Sequence, residues 1–144
     1  MFSKSCEYGI KAMLYVASQS LENRRVKAGE IAENSGSPEA FTAKLLGVMK
    51  RQNLLNSQTG PFGGFYLEIE QMKTIKLSQI VSAIDGDGVY KGCGLGLEQC
   101  DANNPCPLHH QFVHVRNELK AMLENTSLFD LAHKLAAGEV LLKR

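Results

Sequence analysis

Gly36, Ser37 and Pro38 end one helix and begin another within three residues, and this restricts the fold of the chain more than any other feature. Glycine past the last helical residue is a strong stop, serine is a good N-cap, and proline at the first helical position has its backbone angle preset. Upstream, Ile31 and Ala32 mark a short helix over residues 27–35. Downstream, Phe41, Leu45, Val48 and Met49 recur at helical spacing and predict the buried face of a third helix. Two helices joined by so tight a turn form a helix-turn-helix. A first core helix over residues 5–21 precedes them, with Ile10, Met13, Leu14, Ala17 and Leu21 on one stripe.

After Asn53 the period changes. Leu54-Leu55-Asn56 and residues 65–69 read as two short strands around Gly60-Pro61-Phe62-Gly63-Gly64, which predicts a hairpin with a long tip. A helix-turn-helix followed by a hairpin is a winged helix. Its third helix would lie in the DNA major groove and present Ala40, Thr42, Ala43, Lys44 and Gly47, with Lys50 and Arg51 on phosphates. The wing residues Thr59, Gly60, Gly63 and Gly64 would reach phosphates or the minor groove. Net charge is only +1, so bulk electrostatics decide nothing. The distribution is more telling, since residues 40–67 contain no acid and three cations, Lys44, Lys50 and Arg51.

Leu77, Ile80, Val81 and Ile84 predict a fourth short helix ending at Asp85-Gly86. Then Cys93, Cys100 and Cys106, spaced C-x6-C-x5-C and followed by His109 and His110, gather three thiols and two imidazoles among turn-forming Gly, Asp, Asn and Pro residues. That density points to an inorganic centre. Leu108, Phe112, Val115, Leu119, Met122 and Leu123 follow a near-heptad spacing, which predicts a long helix that meets a partner. Thr126-Ser127 caps a last helix with Leu128, Leu131 and Leu135 on one side. The expected architecture is mainly α with one small β-hairpin. A winged helix-turn-helix domain occupies residues 1–85, a cysteine-rich sensor loop residues 86–107, and a dimerisation helix with a C-terminal helix residues 108–144.

Length and composition fit one compact domain, or one domain with a dimerisation arm. With 44% hydrophobic and 22% charged residues, no long apolar run and no signal-like leader, a cytoplasmic protein with no membrane partner is expected. In that reducing compartment clustered thiols serve metals or redox chemistry. Three cysteines and a histidine also suit zinc, but the closely spaced cysteine pair typical of zinc folds is missing. A metal-free loop of reduced thiols is the third alternative. Cys6 stands alone in the first helix and reads as a small buried hydrophobe. A cysteine-dependent enzyme is a remote alternative, because C-x-x-C and any oxyanion or cofactor signature are absent.

In this order the pieces resemble the Rrf2 family of bacterial winged-helix transcription regulators, the group of IscR, NsrR and CymR. The carriers are Glu7-Tyr8-Gly9-Ile10-Lys11-Ala12, the segment from Ser37-Pro38 to Leu46, the wing from Gly60 to Phe65, and Cys93, Cys100 and Cys106-Pro107-Leu108-His109. The resemblance implies a homodimer on a palindromic double-stranded DNA operator, with an iron–sulfur cluster as sensor in the cluster-bearing members. It implies Cys93, Cys100 and Cys106 as ligands, with His109 as the fourth, as in IscR-like members. Glu7 is the alternative, matching the carboxylate of NsrR-like members, and would come from another segment such as the partner's. Two departures stand out. The first cysteine spacing is six residues where IscR has five, and Thr59 takes the place of the arginine that usually precedes the wing glycine. The expected function is a DNA-binding regulator sensing iron–sulfur, redox or nitric oxide status. The alternative is a cluster-free regulator controlled by a partner protein or by thiol oxidation.

Overall fold

A computed structural model describes residues 1–144. Helix α1 (Lys4–Ser20) starts at Ser3, whose hydroxyl accepts the Cys6 N–H at 3.0 Å. Helix α2 (Ala28–Ser35) stops at Gly36 in the left-handed region (φ 66°), and α3 (Glu39–Arg51) follows directly. The helix-turn-helix is as expected, but the serine acts differently: Ser37 Oγ lies 2.7 Å from Thr42 Oγ1, and Pro38 holds the cap position of α3. Strands β1 (Asn56–Gln58) and β2 (Gly64–Tyr66) pair antiparallel, Asn56 opposite Tyr66 and Gln58 opposite Gly64. Val26 adds a third rung, exchanging backbone hydrogen bonds of 3.1 and 2.7 Å with Phe65.

The first strand starts later than the sequence implied. Leu54 and Leu55 are buried core residues ahead of β1, because two consecutive leucines next to α3 gain more from the core than from a half-exposed ladder. The second strand is shorter, ending at Tyr66. Ile69 opens a helix the sequence reading did not expect, α4 (Ile69–Thr74), capped by Glu68 and Gln71. Helices α5 (Leu77–Asp85), α6 (Gly88–Lys91), α7 (His109–Asn125) and α8 (Leu128–Ala136) complete the chain. The start of α8 is sewn to the α4–α5 connection by Leu128 N–H to Ile75 O and Leu77 N–H to Thr126 O, both 3.0 Å.

One apolar cluster runs through the molecule, from Cys6, Met13 and Val16 of α1 through Leu46 and Met49 of α3 and Ile80 and Val81 of α5 to Leu119, Leu123, Leu128 and Ala132. The second half of α7 is therefore stapled to the helical head, which splits the single seam that the sequence implied. Leu119 and Leu123 face inward. Leu108, Val115 and Met122, seven residues apart, remain 41, 52 and 50% exposed on an adjacent stripe. A heptad spacing cannot tell these stripes apart, because they lie less than a quarter turn from each other on the helix.

Cys6 is fully buried, and its surroundings predict an alkaline weakness. Burial, with Asp85 adding to the effect, pushes its pKa from 9.0 up to about 12. The folded state holds the proton longer than the unfolded chain does. The associated stabilisation is complete below pH ~9 and is lost as pH rises through the folded value. Urea unfolding should show stability falling by about 1.4 kcal/mol per unit of pH above 9 from this thiol. The Cys6→Ala variant should lack that component, and an identical slope in both proteins would refute the assignment.

Candidate nucleic-acid interface and cysteine centre

On α3, Ala40, Ala43, Lys44, Lys50 and Arg51 are exposed and Gly47 is half-buried. Lys27, Lys44, Lys50 and Arg51 take part in none of the ion pairs of the fold, so their charge is uncommitted. Thr42 is a correction. Its side chain is fully buried and its hydroxyl donates to Pro38 O at 2.8 Å, so it shapes the turn between α2 and α3 and presents nothing to solvent. Helical spacing already sets Thr42 on the inward stripe of Leu45, Leu46 and Met49, away from Lys44, and the Ser37 hydroxyl gives the buried side chain a polar partner.

The wing is held rigid from below. Gly63 N–H donates to Gly60 O at 3.0 Å to close the tip, and Lys27 Nζ reaches the same carbonyl at 3.4 Å. Gly60 has φ 103° and Gly64 φ 143°, a backbone region that side chains disfavour. Gly63 is buried against the Gln58 and Thr59 carbonyls, and Thr59 itself is exposed. The Arg25 guanidinium stacks on Tyr66, 4.6 Å from the ring centroid.

The cysteine loop leans on α7. All three of its thiols are free and half-buried. Cys100 Sγ lies 3.4 Å from His109 Nδ1 and accepts from Arg116 Nη2 at 2.9 Å. Arg116 also donates from Nη1 to Gly92 O and from Nε to Phe112 O at 3.3 Å, tying the loop's beginning and middle to one helix. His109 is buried and its N–H caps Cys106 O at 3.0 Å, whereas His110 is exposed, as expected. The backbone N–H groups of Leu95 and Leu97 near the Cys93 sulfur, with the Cys106 thiol adding to their effect, hold its pKa below the ordinary thiol value. Asp101 organises the turn by accepting from Asn103 N–H at 2.8 Å and Asn104 Nδ2 at 3.0 Å.

Of the four expected ligands, Cys100 and His109 are in direct contact, at 3.4 Å. No three His, Cys, Asp or Glu side chains converge closely enough to hold a metal ion in this arrangement. Glu7 lies on α1 and pairs with Lys4 at 3.1 Å. Arg116 and the Gly94–Phe112 contact escaped the sequence reading. The available signal was a cation seven residues after His109 on the same face of a helix.

A family model described as an iron-dependent transcriptional regulator, Rrf2, matches residues 2–134. The chain belongs to the Rrf2 family. It is 30% identical over 133 residues to an HTH-type transcriptional regulator of Aquifex aeolicus, covering 91% of this chain and 90% of that one. It is 26% identical over 133 residues to the HTH-type transcriptional regulator IscR of Yersinia pseudotuberculosis, covering 92% and 79%. Among solved structures, CymR, the global cysteine regulator of B. subtilis, superposes with a TM-score of 0.73 at 20% identity, over 92% of this chain and 96% of that one. IscR of T. potens superposes with a TM-score of 0.72 at 21% identity, over 97% and 91%. Rrf2 membership makes the chain a DNA-binding transcriptional regulator and disposes of the enzyme alternative. No helix is long and apolar enough to cross a membrane.

Proposed function

We propose that this Rrf2 regulator acts as a homodimer on double-stranded DNA and that the loop from Cys93 to Cys106 is its sensor of iron–sulfur, redox or nitric oxide status. The observation that carries this reading is the hold of α7 on Cys100 through His109 and Arg116, at 3.4 and 2.9 Å. Chemistry at that sulfur reaches a helix whose far half is built into the core of the DNA-binding head. The outward stripe of Leu108, Val115 and Met122 is the surface through which α7 meets its counterpart in a second copy, so loop and subunit spacing move together.

Cys93, Cys100, Cys106 and His109 offer three thiolates and an imidazole, a donor set soft enough for iron–sulfur chemistry, with Glu7 of a second copy as the alternative fourth ligand. When bound, such a cluster supplies a redox-active centre with one exchangeable corner. Because no three donors converge, capture rearranges the loop rather than filling a ready cavity. The three free, half-buried thiols favour a second reading, a cluster-free regulator switched by thiol oxidation or by a partner protein. On α3, Lys50 and Arg51 contact phosphates, Lys44 reads base edges, and the wing residues Thr59, Gly60, Gly63 and Gly64 follow the backbone.

Protein kept anaerobic throughout should carry iron and sulfide and show visible charge-transfer bands that Cys106→Ser removes. Their absence would eliminate the cluster and leave thiol oxidation in its place. On DNA, Lys50→Ala and Arg51→Ala should each flatten the salt dependence of binding by roughly one ion and weaken all duplexes alike. Lys44→Ala should change which sequence is preferred, and an equal loss on selected and random duplex would show that the reading face lies elsewhere.

A further inference from the structure

At 90% exposure, Phe62 is the least covered large apolar side chain of the molecule, and it stands at the tip of the wing. Its backbone is held in place. The tip is closed by Gly63 N–H to Gly60 O, Gly63 has no free space against the Gln58 carbonyl, and Val26 pairs with Phe65 at the base of the hairpin. The aromatic ring projects into water from this closed turn, within a stretch with no acidic residue from Ala40 to Leu67. Lys27, with no carboxylate partner, reaches the same turn.

A neutral tip with the uncommitted Lys27 reaching its turn suits a polyanion whose charged rails border an apolar trough. That describes the minor groove of duplex DNA, whose floor and sugar edges accept apolar wedges. The segment Gln58-Thr59-Gly60-Pro61-Phe62 carries no charge, so beside the polar contacts open to Thr59 and the backbone N–H groups, the large surface it can bring to DNA is the Phe62 ring. We propose that Phe62 is a minor-groove wedge, an aromatic contact that anchors the wing on DNA where no wing cation is present. This rests on the DNA-binding reading above and adds to it the residue that seats the wing.

The chain contains no tryptophan, so Phe62→Trp introduces a single fluorescent reporter at the tip. The probe is a fluorescein-labelled duplex of roughly 40 bp, selected by the unaltered protein from a random pool and long enough for two half-sites. Expected are quenching of the tryptophan on duplex addition, and about a fivefold to tenfold loss of affinity for Phe62→Ala with an unchanged salt slope, since no ion-releasing contact is lost. Duplex anisotropy that rises while the tryptophan emission stays constant would overturn the wedge and leave the DNA-binding reading intact. No rise in anisotropy with the unaltered protein would instead defeat that reading. Emission that changes with protein concentration in the absence of DNA would assign the ring to contact between copies and also overturn the wedge.

Discussion

Gly63→Ala is expected to cost more DNA affinity than any single charge removal on α3. A Cβ built at Gly63 would lie 2.0 Å from the Gln58 carbonyl oxygen and 2.7 Å from that of Thr59. Both are backbone atoms, at the end of the facing strand and just beyond it, so no rotamer change relieves the collision and the hairpin has to open. Opening it breaks the closure to Gly60 and withdraws the wing tip, Phe62 included. We expect a loss of at least about tenfold in duplex affinity, together with about 1–3 kcal/mol of stability, typical of severe local backbone strain. Gly60→Ala, a position with open space whose only difficulty is φ 103°, should cost distinctly less. Equal effects at the two glycines in titration and urea unfolding would mean that the wing tolerates rearrangement and contributes little.

Gly94→Ala is expected to detach the cysteine loop from α7. Its Cβ would fall 2.4 Å from two carbons of the Phe112 ring, inside the contact that lays the loop along the helix. Because Arg116 grips Gly92 and Cys100 from the same helix, displacement at Gly94 should loosen the whole segment. Protease cleavage within residues 92–106 and alkylation of Cys100 should both accelerate. The double variant Gly94→Ala/Phe112→Ala should regain part of the loss, with a coupling on the order of 1 kcal/mol between the two sites. Strict additivity would show that the ring simply swings aside and that loop and helix are uncoupled. A Cys100 that stays protected despite cleavage would locate the hold in Arg116 alone.

Much of this architecture could be read directly from residue order. The stop at Gly36, the restart after Pro38, the glycine-rich hairpin and the sulfur-rich bridge all rest on local backbone chemistry, which acts over a few residues and is therefore written in the sequence. The errors differ in cause. Thr42 shares the helical stripe of Leu45, Leu46 and Met49, so spacing itself assigns it inward, and Ser37 satisfies its hydroxyl there. Ile69 looked like the end of an alternating strand, but Glu68 and Gln71 cap a helix there instead. Arg116 carries no local signal of its role, because its partner Cys100 lies on a loop that folds back onto the helix. Only in the last case does a polar group meet a partner whose position depends on how other elements pack.

By itself the amino-acid order determined the helix-turn-helix, the wing and the set of candidate donors, because caps, breakers, apolar spacing and thiol chemistry are properties of short segments. Only the tertiary structure decided which α7 stripe stays open, that His109 meets Cys100, and that Arg116 joins the loop to the helix. Those facts depend on side chains far apart in the chain meeting at distances of a few ångströms. Spacing along a sequence constrains the direction in which a side chain leaves its own element, but not what it finds there.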